Sequence, residues 1–247
     1  MLQQLMSSDN VERTQAEAAL NTEWLEARPQ MLLPALASVL VESGDESARA
    51  LAAVLLRRIA PKPTTTTTSD GGSVWMAVGE DAREAVQAML LRALLGEGSD
   101  HVRRKAGDCV AELARHMISK GGVWGGLTQT LFSLLQSPTA AHRASAFAIV
   151  AALPAAVSGQ SDAALVNALS TGLADSDAAV RLAAQKAAVQ WLIETGAATA
   201  GPLFGLIFGV CILFIILACS CLGISAQWLL IAAHCSDHCM NQCLITA

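Results

Sequence analysis

The chain has 247 residues, 53% of them hydrophobic but only 4% aromatic, with no Tyr and a net charge of −5. That mild acidity excludes the basic footprint by which nucleic-acid binding is usually recognised. The apolar excess is Ala and Leu, which favour helix over strand.

The first residues, MLQQLMSSDNVERTQAE, lack the basic flank and apolar core of a secretory leader. Asp9 then opens a helical run at Arg13-x-x-Ala16, and the same Arg-x-x-Ala pattern returns at Arg49, Arg103, Arg143 and Arg181. The intervals are 36, 54, 40 and 38 residues. The long interval contains PKPTTTTTSDGGS, residues 61–73, and removing most of it restores a period near 40. Such a period suits two helices per repeat. Helix-start signals precede each occurrence: Asp9, Asp45, Asp100, Ser137 with Pro138, and Asp175 or Asp177. Second helices are expected near 30–42, 80–95, 124–136 and 161–173, with Pro34 starting or kinking the first of them. Residues 61–79 read as a mobile loop around the threonine run. In the last helix Val180, Ala184, Ala187 and Trp191 form one apolar stripe. The expected fold is all-α, a HEAT/armadillo-like solenoid of about five helical pairs over residues 1–196.

From residue 197 the composition changes. All 16 Lys and Arg lie before residue 187, and six of the seven Cys lie at or after Cys211. The lone Cys109 of the body suggests a reducing compartment. Leu203 to Leu222 is an uncharged apolar run of 20 residues, about 30 Å as a helix and long enough to span a membrane. Two readings of the tail, 197–247, stay open: an anchor holding the repeats in the cytosol, or residues foreign to the working protein, as from a truncated or misassembled reading of the gene. His234, Cys235, His238, Cys239 and Cys243 cluster behind it; zinc ligation and acylation are the functional readings, and no specific role is the default.

No catalytic or cofactor-binding constellation is assigned. His101, His116 and His142 fall on separate repeats without a nucleophile at a credible spacing, and read as surface or packing residues. GGVWGG at 121–126 lacks the Lys and Ser/Thr of a phosphate loop and reads as a turn. Arg57–Arg58 and Arg103-Arg104-Lys105 read as solvated helix ends. Arg83 and Gln87 lie off the apolar stripe Ala82, Val86, Met89, Leu90 of a second helix, and are the candidates for partner contact.

The segments SSDNVERTQAEAAL (7–20), ARALAAVLLRRI (48–59) and HVRRKAGDCVAELARHMI (101–118) closely resemble the N-terminal repeats of importin-beta-type karyopherins, in particular the importin-5 branch. The resemblance runs from about residue 2 to about 160 and weakly on to 195. It implies a nuclear transport receptor moving between cytoplasm and nucleus, not an enzyme. Its implied partners are a Ran-type small GTPase, nucleoporins and import cargo, with second helices lining the concave face. The alternative expectation is a HEAT-repeat scaffold tethered to a membrane through Leu203 to Leu222.

Overall fold

The structure is a computed structural model that describes residues 1–64, 72–157 and 162–195. Two units are distinguished, Met1–Gly196 and Ala197–Ala247, and every described residue lies in the first. The candidate membrane span and the Cys/His cluster therefore fall outside the described residues, as does the threonine run beyond Thr64. Among the described residues no helix is long and apolar enough to cross a membrane.

The described residues are helical. They form α1 (Leu2–Leu5), α2 (Asn10–Ala19), continued by a π-helical stretch Leu20–Glu26, α3 (Pro29–Glu42), α4 (Glu46–Ile59), α5 (Val74–Ala77) and α6 (Glu80–Gly96). Then come α7 (Asp100–Ser119), α8 (Leu127–Leu135), α9 (Ala140–Ala152), a 3₁₀ turn Pro154–Val157, α10 (Asp162–Leu173) and α11 (Ala178–Thr195). First helices pack on first helices, α4 on α7, α7 on α9 and α9 on α11, while α3 packs on α6 in the second layer. Among the described residues there are four pairs and one further first helix. Pro34 lies inside α3, which starts at Pro29 instead, where the missing donor costs nothing.

The recurring Arg-x-x-Ala has a physical explanation. Each alanine is buried: Ala16, Ala52, Ala106, Ala146 and Ala184 are 0–3% exposed. Each arginine donates to the main-chain carbonyl six residues earlier. Arg13 reaches Ser7 at 3.2 Å, Arg49 reaches Ser43 at 3.0 Å, Arg143 reaches Ser137 at 2.8 Å and Arg181 reaches Asp175 at 2.8 Å. Arg103 reaches Glu97 in the same way. The side chain of that earlier residue accepts from the amide two residues on, at 2.8–3.2 Å in all five repeats. The loop entering each first helix is thus fastened by its own backbone, which satisfies a carbonyl that the turn would leave unpaired.

Two of these arginines also cross to the next repeat. Arg49 grips Glu97 through Nε and Nη2 at 2.9 and 3.1 Å, and Arg143 grips Asp175 at 2.7 and 2.9 Å. Burial pushes the Glu97 carboxyl up, yet the bonds from Arg49 and from the Ser99 and Gly98 amides hold it below the ordinary carboxylate value. The bond from Arg143 holds Asp175 low, against a smaller opposing effect of burial.

Three expectations are corrected. Ser99, not Asp100, caps α7, because its hydroxyl reaches the Val102 amide and leaves Asp100 in the first turn to pair with Arg103. Thr139, not Ser137, is the cap position of α9, because Ser137 is occupied in the loop fastening. Arg103 is 5% exposed instead of solvated, since its guanidinium turns inward to Glu97 and Asp100. Arg57 pairs with Asp108 across two first helices at 3.2 Å.

The insertion in the second repeat is also shorter than a loop over 61–79. Ser73 caps α5, and Val74, Trp75 and Val78 are buried. Main-chain bonds from Thr64 to Gly72, from Val74 to Lys62 and from Trp75 to Ala60 clamp its base. Further along, α10 passes α9 and α11 closely: a Cβ on Gly172 would stand 2.3 Å from Phe147 and 2.8 Å from Ala184. Cys109 lies wholly within α7 packing, and burial pushes its thiol up to about 12, so it stays a neutral core residue.

Candidate partner-binding groove

Arg83 and Gln87 sit one turn apart on α6 and line the same groove, of about 530 Å³. Its walls are α5, the first three turns of α6, the end of α7 and the turn at Gly122–Gly125. The floor comes from Trp75, Met117, Leu91 and Trp124, and Met76 stands at the rim, half exposed. Positive φ at Gly121 (76°) and Gly126 (79°) lets the chain reverse between α7 and α8 and tuck Trp124 beneath it.

The polar groups of the groove are poorly matched. Arg83 Nη1 meets Met76 Sδ at 3.6 Å, and Gln87 Nε2 meets Met117 Sδ at 3.6 Å. Thioether sulfur is a weak acceptor. The indole nitrogen of Trp124 is buried with no partner among the described residues. Glu80, Glu84, Arg83 and Lys120 line the groove, and none is in an ion pair among the described residues. Arg83 follows Glu80 by three positions, a spacing at which helix side chains commonly pair, yet it reaches for the sulfur.

His116 links the groove to the insertion. Its Nε2 is 2.9 Å from the Ser73 hydroxyl. Burial, reinforced by Lys120, lowers its pKa against a smaller opposing pull from Glu112. This Ser–His contact joins residues 43 apart and was not legible from spacing. Ser73 is 4% exposed and also accepts from the Met76 amide at 3.4 Å, so its oxygen serves as a helix cap. His142 pairs with Ser137 at 3.1 Å, with burial first and Arg103 second lowering its pKa, and His101 is exposed. Among the described residues no group of three or more His, Cys, Asp or Glu could hold a metal.

The family described as IPO5-like, TPR repeats, matches residues 98–208. Importin subunit beta-3 of Saccharomyces cerevisiae is 29% identical over 191 residues, covering 76% of this chain. The crystal structure of Kap121p superposes with a TM-score of 0.72 at 26% identity, over 84% of this chain and 19% of that one. The chain resembles the importin-beta-type karyopherins. Kap121p bound to RanGTP is similar at a TM-score of 0.68 and 26% identity, over 85% of this chain and 18% of that one. The karyopherin likeness spans both layers of the solenoid, but the chain covers only 17% of the length of importin subunit beta-3.

The sequence names Arg83 and Gln87 as candidates, and they line the groove, but it does not single out Trp124, Met76 or Met117. The available signal was a tryptophan inside the glycine-rich turn GGVWGG, where a large apolar residue has no helical stripe to join.

Proposed function

We propose that this chain is the N-terminal, GTPase-facing part of a nuclear transport receptor. The observation that carries this reading is the likeness to Kap121p in its RanGTP-bound form across 85% of the chain. In this reading the second-helix layer meets a Ran-type GTPase in its GTP state, and Arg83 and Gln87 contribute contacts from α6. Nucleoporins and import cargo are the remaining partners. Their support is the likeness to Kap121p bound to Nup53p, at a TM-score of 0.72, and to Kap121p bound to Pho4p, also 0.72. The receptor moves between cytoplasm and nucleus, and the chemistry of the cycle belongs to the GTPase.

The test is capture of the chain on immobilised Ran loaded with GTP or GDP. Preference for the GTP form is expected, with lower affinity than a receptor of full length, because contacts on one rigid chain multiply affinity. Equal capture on both forms, or none at high micromolar protein, overturns the reading. The uncharged run Leu203 to Leu222 favours a second reading, a HEAT scaffold tethered to a membrane. Recovery of the chain in an alkali-resistant membrane pellet without any preference for the GTP form would select it.

A further inference from the structure

The donors of the α6–α7 groove lack oxygen partners. Among the described residues Arg83 and Gln87 each meet only a methionine sulfur at 3.6 Å, and the N–H of Trp124, 6% exposed, is without a partner. Elsewhere in the solenoid the repeated arginines find carbonyl or carboxylate oxygens. Arg83 and Gln87 are half-buried, and their weak sulfur contacts are exchanged for stronger oxygen ones when an acceptor arrives. The two sulfurs belong to unbranched, easily rotated side chains that give way at little cost and then pack against whatever enters.

We propose that this groove binds an extended peptide segment in which an acidic side chain is flanked by apolar ones. The carboxylate goes to Arg83, whose guanidinium makes no ion pair among the described residues, with Lys120 as the second cation of the groove. Displacement of Met76 Sδ exchanges a weak acceptor for a charge-assisted one. A neighbouring apolar side chain of the peptide lies against Met117, Leu91 and the Trp124 ring. Glu80 and Glu84 also line the groove. They repel a free carboxylate that is not held by the guanidinium, and so restrict the acidic residue to one register. The inference rests on the reading of α6 as a partner-facing helix and supplies the chemistry of the ligand.

The full chain, labelled with ¹⁵N-tryptophan in mild detergent, gives indole signals from its five Trp. The Trp124 signal is identified by its loss in Trp124→Phe. The probe is the peptide acetyl-Gly-Leu-Asp-Leu-Gly-amide, whose capped ends leave the Asp side chain as the sole carboxylate; its partner probe has Asn for Asp. The Trp124 signal is expected to shift on titration. The Asn peptide should bind about tenfold more weakly, equal to about 1.4 kcal/mol. Arg83→Met should erase that difference without lowering the melting temperature. Equal binding of the two peptides, an unmoved Trp124 signal, or an Asp preference that survives Arg83→Met each overturns the proposal. Capture on Ran is measured on the same preparation. Retained GTP-form capture with no peptide binding removes this inference alone, and peptide binding with no GTP-form capture removes only the transport reading.

Discussion

The fastened loops and the groove handle the same kinds of side chain in opposite ways. At the loops, Arg143 has four oxygen bonds shared among Ser137, Pro138 and Asp175. In the groove, Arg83 has one polar contact among the described residues, to sulfur. A guanidinium saturated by its own chain holds the fold together. One left on a thioether is available to something else. Burial and an orphaned donor do not by themselves separate the two regions, since Arg103 and Trp124 are 5% and 6% exposed and Arg103 Nε, like the Trp124 indole, has no partner among the described residues.

The largest expected effect lies on the saturated side. Arg143→Ala strands the Asp175 carboxylate, whose side chain is 8% exposed. Removing one partner of a buried pair typically costs about 3–5 kcal/mol, and the urea midpoint should fall accordingly. A change under about 1 kcal/mol would show that Asp175 simply turns to water, and the contrast between the regions would weaken.

Acid should unfasten the joints in two stages. His116 and His142 have lowered pKa values, so the unfolded chain takes up their protons first; stability is full above about pH 6.5 and falls as pH drops through that range. Glu97 and Asp175 are also held low, so their contribution is full above about pH 4 and is lost as pH falls further. Denaturation curves between pH 8 and pH 2 should flatten at the upper stage in His116→Asn and at the lower stage in Arg49→Met. Unchanged curves in both variants would assign the acid response to other carboxylates.

Ser73→Ala removes the cap of α5 and its bond to His116, and a lost cap costs about 1 kcal/mol. A modest fall in melting temperature is expected, with faster proteolysis at the insertion. The smallest effect belongs to the groove: Arg83→Met should alter stability by less than about 0.5 kcal/mol, as do most surface changes outside a network. A large loss of stability there would place Arg83 with the fastened arginines.

The period of Arg-x-x-Ala located every first helix, because a buried small residue and a fastened arginine recur at each joint. The second helices near 30–42, 80–95 and 161–173 were equally legible from apolar spacing. What could not be read is contact across the sequence. Arg103 looks like a solvated cation in HVRRKAGD, and only the fold turns it toward Glu97. Ser73 and His116 meet across 43 residues, a contact that no local pattern encodes. Arg83 and Gln87 are named as candidates because they lie off the apolar stripe of α6, whereas Trp124 lies in a turn where no stripe exists to mark it.

The carbonyl at each joint has a consequence for divergence. The residues that present it are Ser7, Ser43, Glu97, Ser137 and Asp175, three different side chains with one shared main-chain oxygen. A bond to backbone survives replacement of the residue that offers it, as long as the arginine six positions on remains. The spelling of the loops can therefore vary among side chains that accept from the amide two residues on, while the arginine bond to the main chain stays the same.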